Sequence, residues 1–313
     1  MVSELKKRDF KIQTLKIGTR GSPLALAQAY EVKKKIVQSS KLTEDFIDII
    51  IINTKGDKIQ DKPLTEIGGK GLFTEEIENQ LLNNEIDLAV HSMKDMPTVF
   101  PKGLIIKTFL KREDFRDSFI SLKYKTIEDL PKGAMVGSSS LRRRAQLLHK
   151  RPDIQLVEFR GNVQTRLKKL EAGIAEATFL ACAGLLRLGM NKLVRPISPE
   201  IMMPAVAQGV IGVQQRVNDK EMTDLLISLN HKDTEIQMLA ERSFLKILDG
   251  SCRTPIGAWS QIVGNDIIFK GEVLKIDGSE VASGSWKGLK SNPLELGERA
   301  GRDLKEEIGD AFF

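Results

Sequence analysis

Short apolar runs and helical stripes alternate through the first two thirds of the chain. Gln13–Gly18 reads as a strand, and Ser22-Pro23 then looks like a cap followed by proline in the first helical turn. Ala25, Ala29, Val32 and Ile36 follow on one helical face. Phe46–Ile52 is apolar enough for a buried strand. Thr74 precedes a helix with Glu75 and Glu76 in its first turn and Ile77 and Leu81 on its apolar side. Leu88–Val90 is a short strand that runs into His91-Ser92-Met93-Lys94-Asp95. Ser138–Ser140 precede a helix over Leu141–His149, then come a strand over Ile154–Phe159, a helix over Val163–Leu170 and a strand over Thr178–Ala183. Such alternation predicts α/β architecture with largely parallel sheets. The last third changes character. Ile267–Val273 alternates apolar and polar, Asp277-Gly278 is a turn signal before Glu280–Trp286, and Leu294–Ile308 closes the chain as a helix. That predicts a small α+β domain.

Composition narrows the class. The chain has 313 residues, 41% hydrophobic and 29% charged, typical of a globular protein of two or three domains. Met1–Phe10 lacks the apolar stretch of a signal peptide, and no segment approaches the length of a membrane span. The cytoplasm is the expected compartment. Two cysteines, Cys182 and Cys252, are too few for a disulfide framework. His91, His149 and His231 lie far apart and give no metal-ligand spacing.

Charge is unevenly placed. The whole chain carries a formal +6, yet Gly137–Leu170 holds nine Lys or Arg opposed by Asp153 and Glu158, a local +7. A concentrated basic block suits an anionic partner: nucleic acid, membrane headgroups or a polyanionic small molecule. It could equally be a solvated face. Nucleic acid is disfavoured, because base stacking wants aromatics and only Phe159 lies in the block.

Three stretches place basic residues where a strand gives way to a helix: Thr19–Ser22, Gly137–Arg143 and Phe159–Asn162 with Arg166 one turn later. Free N–H groups at helix starts, serine hydroxyls and arginine forks all bind carboxylates or phosphates. Gly68-Gly69-Lys70-Gly71 is not a phosphate loop, because Gly71 stands where Ser or Thr is required. Asp95 is either a capping or ion-paired residue or a carboxylate that stabilises a cation and moves protons. Cys252, beside Arg253 in a Gly/Pro loop, is either a small buried residue or a loop thiolate able to act as nucleophile or anchor. Cys182, inside an apolar strand, reads as core.

Together these stretches resemble the hydroxymethylbilane synthase (porphobilinogen deaminase) family. The resemblance rests on Gly18–Leu26, Gly68–Phe73, His91–Asp95, Gly137–Arg143, Arg160–Val163, Pro204–Gly209 and Ser251–Gly257, in family order along nearly the whole chain. It implies a cytoplasmic, monomeric transferase of porphyrin and haem biosynthesis. Such an enzyme joins four porphobilinogens head to tail into a linear tetrapyrrole, releasing four ammonias, with no nucleic-acid, membrane or metal partner. It implies a covalent dipyrromethane cofactor, with Cys252 at the thioether position and Asp95 at the catalytic position. Ser92, Lys94, Ser139, Arg142, Arg143, Arg160 and Arg166 match cofactor-binding positions. Arg20, Ser22, Lys70, Arg187 and Gln208 match substrate-binding or site-lining ones. Glu66 stands where relatives can carry Lys, and Phe115 where Pro is common.

The resemblance also implies two α/β lobes like type II periplasmic binding proteins plus a small C-terminal α+β domain. The expected division is 12–110 with 211–229, then 111–210, then 230–313. The rivals are a binding protein of the same lobed fold, which would need neither Asp95 nor Cys252, and a nucleic-acid-binding protein.

Overall fold

The computed structural model describes residues 14–58, 71–250 and 254–309. They fall into two compact units. The first takes residues 14–58, 71–112 and 210–235, and the second takes 113–209, 236–250 and 254–309.

The first unit is a five-stranded sheet with helices on both faces. Its strands are β1 (Leu15–Thr19), β2 (Ile47–Ile51), β3 (Leu88–Ser92), β4 (Leu104–Phe109) and β9 (Ile211–Arg216), in the order β2-β1-β3-β9-β4. β1 runs parallel to β2 and β3, whereas β9 returns from late in the chain and lies antiparallel between β3 and β4. Helix α1 (Pro23–Ser39) starts as its sequence predicts, with the Ser22 hydroxyl accepting from the Ala25 N–H at 3.3 Å. Its Ala29, Val32 and Ile36 pack fully buried against Leu15, Ile17, Val90 and Val213 of the sheet. Burial of that kind contributes about 1.5–3 kcal/mol per large aliphatic side chain. On the opposite face, α3 (Glu75–Leu82) presents Ile77 and Leu81 to Ile52, Ile86 and Ala89. The short helices α2 (Lys55–Lys58) and α7 (Lys220–Leu226) complete the unit.

The second unit holds two sheets. One joins β5 (Asp117–Ser121), β6 (Met135–Gly137), β7 (Gln155–Val157) and β8 (Ala177–Ala181) in the order β5-β8-β6-β7. β6 is parallel to β7 and β8, and β5 is antiparallel to β8. Helices α4 (Leu141–Lys150), α5 (Val163–Glu171) and α6 (Cys182–Arg187) accompany it. The other sheet is an antiparallel meander of β10 (Ile256–Val263), β11 (Asp266–Leu274) and β12 (Val281–Leu289). It is served by α9 (Pro293–Ile308) and most of α8 (Lys232–Ile247), with Phe244, Phe269 and Trp286 clustered in its core.

The fold class is therefore mixed α/β with a C-terminal α+β meander. Two expectations are corrected. Each α/β sheet includes an antiparallel strand, so the sheets are less parallel than the alternation predicts. The strand expected over Thr178–Ala183 stops at Ala181, and Cys182 opens α6.

Candidate functional site

In the first unit, strand order reverses at β1: the chain goes from β1 to β2 on one side and later places β3 on the other. The crevice beyond the carboxyl ends of such strands is where open α/β sheets bind ligands. An open cleft of about 500 Å³, counting its solvent-filled mouth, sits there. The end of β1 supplies Arg20, and the start of α1 supplies Ser22. The end of β3 and the turn after it supply His91, Ser92, Lys94 and Asp95. Five of the site residues expected from sequence thus meet in one cleft: Arg20, Ser22, Ser92, Lys94 and Asp95.

Asp95 is exposed and Lys94 half-buried. Arg20 is held by a carboxylate of this chain. Its Nε donates to both oxygens of Asp57 at 3.1 and 3.2 Å, its Nη2 contacts the same group, and the guanidinium lies 4.2 Å from the centre of the Phe73 ring. Burial pushes the Asp57 carboxyl up, but the Arg20 guanidinium and the Thr54 hydroxyl more than reverse this, leaving it below the ordinary carboxylate value. That Asp57 and Phe73 meet Arg20 escaped the sequence reading, because neither lies near Arg20 along the chain.

The second unit holds the other basic positions. Asp117 is fully buried at the start of β5. One of its oxygens accepts from Arg143 Nη2 at 2.7 Å and Gln208 Nε2 at 2.9 Å, and the other accepts from Arg142 Nη2 at 2.8 Å. Burial alone would push that carboxyl up. The two guanidinium groups outweigh it and hold Asp117 far below the ordinary range. The sequence reading set only Asp153 and Glu158 against the basic block and did not foresee this third acid, which compensates its two most buried arginines. Arg144 and Arg151 also pair, with Glu158 and Asp153. Arg143 keeps one buried Nε–H without a partner.

Ser139 fastens the start of α4 to the end of β7 by accepting from the Phe159 N–H at 3.0 Å, and Ser140 caps the helix. Asn162 caps α5 by accepting from Thr165 N–H at 2.9 Å, and Arg166 Nε donates to Gly161 O at 3.0 Å. The Arg160 side chain is half-buried, and its carbonyl accepts from Lys169 Nζ at 3.1 Å. Arg187 Nη2 donates to Gly209 O at 3.0 Å, and Gln208 Nε2 also donates to Phe115 O at 2.8 Å. Arg187 and Gln208 therefore brace the Pro204–Gly209 loop. Gly209 is required there: its φ is +91°, and a Cβ would lie 2.6 Å from Glu113 O.

Cys182 is buried, with its thiol pushed up to about 12, mainly by burial and then by the Asp114 and Asp117 carboxylates. It is a core residue and a poor nucleophile. Cys252, Lys70 and Glu66 lie outside the described residues.

A dipyrromethane bearing acetate and propionate groups calls for fixed donors. The unsatisfied Arg143 Nε–H, the Arg160 and Arg166 side chains and the capped starts of α4 and α5 are donors of that kind.

The chain is similar to known proteins along nearly its whole length. Residues 15–224 match the family model described as porphobilinogen deaminase, dipyromethane cofactor binding domain, and residues 235–306 match that of the porphobilinogen deaminase C-terminal domain. The chain is 54% identical over 295 residues to the porphobilinogen deaminase of Paracoccus denitrificans, covering 94% of this chain and 93% of that one. It is 49% identical over 309 residues to the chloroplastic porphobilinogen deaminase of Oryza sativa subsp. japonica, covering 97% and 86%. Among solved structures, the periplasmic aliphatic sulphonate binding protein of Escherichia coli is 14% identical with a TM-score of 0.40, covering 75% and 70%, a likeness too distant to argue from. With two family models following one another from residue 15 to residue 306, this chain belongs to the porphobilinogen deaminase family.

Proposed function

We propose that this chain joins four porphobilinogens head to tail into hydroxymethylbilane, releasing four ammonias, on a dipyrromethane primer tied through a thioether to Cys252. The observation that carries the catalytic assignment is the cleft at the β1/β3 switch point, where the exposed Asp95 carboxylate shares a wall with Arg20, Ser22, Ser92 and Lys94. When bound, the dipyrromethane supplies the nucleophilic pyrrole α-carbon from which the chain grows.

Asp95 faces the ring N–H of the substrate. As the aminomethyl C–N bond breaks and ammonia leaves, the pyrrole becomes cationic, and a fixed carboxylate offsets that charge without reorganising. Asp95 is also placed to accept the proton that the attacking ring would release once the new C–C bond had formed. Lys94 and Arg20 take substrate carboxylates, Arg20 exchanging Asp57 for the ligand, while the Ser22 and Ser92 hydroxyls add neutral donors. In the second unit, Arg143, Arg160 and Arg166 would hold primer carboxylates. Asp117 neutralises the buried arginines, and Ser139, Arg142, Arg187 and Gln208 position the helix start and the loop.

The anchor falls to Cys252 because the chain's only other cysteine, Cys182, is buried and unreactive. Lys70 is assigned to substrate binding by its place in the family motif. The same reading includes the three-domain division at 12–110 with 211–229, 111–210 and 230–313. It also includes a monomer in the cytoplasm without nucleic-acid or membrane partners. Among the described residues, no helix is long and apolar enough to cross a membrane.

The test is intact-protein mass spectrometry of chain made in porphobilinogen-producing cells. The expected mass exceeds that of the bare sequence by two condensed pyrrole units, an increment lost in Cys252→Ala. Asp95→Asn should keep the adduct and lose turnover by about 10²–10³-fold, the scale of removing one charge-stabilising group. A bare wild-type mass, or full turnover in Asp95→Asn, refutes the assignment.

A further inference from the structure

Behind the cleft wall of the first unit runs a buried polar chain that the mechanism above does not use. Thr74 Oγ1 donates to Glu78 Oε2 at 3.3 Å, Gln214 Nε2 donates to Glu78 Oε1 at 2.8 Å, and Gln214 Oε1 meets His91 Nε2 at 2.9 Å. All four residues are buried, with Gln214 fully so. The donor order settles the imidazole tautomer. Burial pushes the Glu78 carboxyl up and the Gln214 and Thr74 donors oppose that; as the carboxylate it accepts the Gln214 NH₂, which turns the Gln214 carbonyl oxygen toward His91. His91 Nε2 must then carry the hydrogen, and Nδ1 is left as a bare lone pair. His91 also lines the cleft, and Nδ1 is the ring nitrogen that Gln214 leaves uncovered.

Resting on the proposed substrate, we propose that His91 is a neutral, tautomer-locked acceptor that grips the protonated aminomethyl nitrogen of porphobilinogen, with Gln214 and Glu78 as its positioning residues. Arg20 and Lys94 are cations, and an ammonium is tolerated near them only once they hold the substrate's carboxylates. Arg20 and Lys94 draw the substrate's carboxylates, Asp95 is left for the ring N–H, and the aminomethyl group needs an acceptor that does not compete for those cations. Neutrality also serves the chemistry. Burial, reinforced by the nearby Arg20 charge, lowers the His91 pKa to about 4. An acceptor that weakly basic binds an ammonium without removing its proton, and ammonia can depart only while the nitrogen stays protonated. The His91 hydrogen bond therefore breaks together with the C–N bond, and the proton leaves on the ammonia.

The experiment uses the full-length chain labelled with ¹⁵N-histidine, its three imidazoles assigned with His91→Gln. The expected spectrum shows His91 with hydrogen on Nε2 and none on Nδ1, unchanged from about pH 5.5 to 8.5. A Nδ1–H tautomer, or titration near neutrality, overturns the proposal. That spectrum needs no activity, so its failure is separable from failure of the enzymatic reading. The second measurement compares binding of porphobilinogen with binding of its analogue carrying methyl in place of aminomethyl, in the Asp95→Asn background where turnover is slowed, on a timescale shorter than one turnover. His91→Gln and Gln214→Met should weaken porphobilinogen by about 10-fold or more, the scale of one hydrogen bond to a charged group, and leave the analogue within twofold. Equal weakening of both ligands overturns the proposal, and the wild-type spectrum still decides it if Gln214→Met does not fold.

Discussion

Replacing Asp117 by Asn tests whether the basic block is a binding surface throughout or partly a structural network. In the native chain both Asp117 oxygens are used, by Arg142, Arg143 and Gln208, with no exposure to water. Arg142 also donates to the Met203 carbonyl, which accepts from Gln146 Nε2 at 2.9 Å as well. Asparagine fits the space but removes the charge that Arg142 and Arg143 share and turns an NH₂ toward a guanidinium. Two buried cations then lose the carboxylate bonded to both. Removing one partner from a buried ion pair costs about 3–5 kcal/mol, and that range is expected here. Trp259 and Trp286, the chain's two tryptophans, both lie in the second unit. Urea unfolding followed by tryptophan fluorescence therefore reports on the unit that is perturbed. The pH dependence has a definite sign. The folded carboxyl sits below its ordinary value of 3.8, so its contribution is complete at neutral pH and is lost as pH falls below that value. The gap between native chain and variant should be constant from about pH 6 to 8 and shrink in acid. A gap under about 1 kcal/mol at neutral pH would refute the reasoning, since it would mean that Asp117 is not what balances Arg142 and Arg143.

Other outcomes follow from the same geometry. Glu272 on β11 is mostly buried with one oxygen unpartnered, and burial pushes it up to about 7 despite the Arg142, Lys150 and His149 charges. Because its ordinary value is 4.5, ionising it in the fold costs stability progressively between pH 4.5 and 7. Glu272→Gln should be more stable than the native chain by about 1–3 kcal/mol at pH 8 and equal to it near pH 4.5, as read by denaturant midpoints; equality at pH 8 would refute this. Gly209→Ala should cost at least about 2 kcal/mol, since a left-handed φ and a backbone carbonyl both oppose the added Cβ; a neutral thermal shift would refute it.

The sequence by itself determined the elements with clean periodicity and local caps. Helices α1, α4 and α5 begin where Ser22, Ser140 and Asn162 stand, because a cap is a contact three residues long and needs no tertiary structure. The His91–Asp95 stretch at the end of β3 was legible for the same reason. Strands β5 and β9 were not. Asp117-Ser118 and Gln214-Gln215 are polar yet buried, which breaks any apolar alternation. Their partners lie far along the chain: Asp117 needs Arg142, Arg143 and Gln208, and Gln214 needs Glu78 and His91. Charge behaved likewise. A run of arginines shows where positive charge is, but whether each is available to a ligand depends on which acid the fold brings to it. Tertiary structure alone paired Arg20 with Asp57, Arg142 and Arg143 with Asp117, and His91 with Gln214. The reason is physical: a buried polar group is stable only with its partner, and the partner is chosen by the fold and not by proximity in sequence.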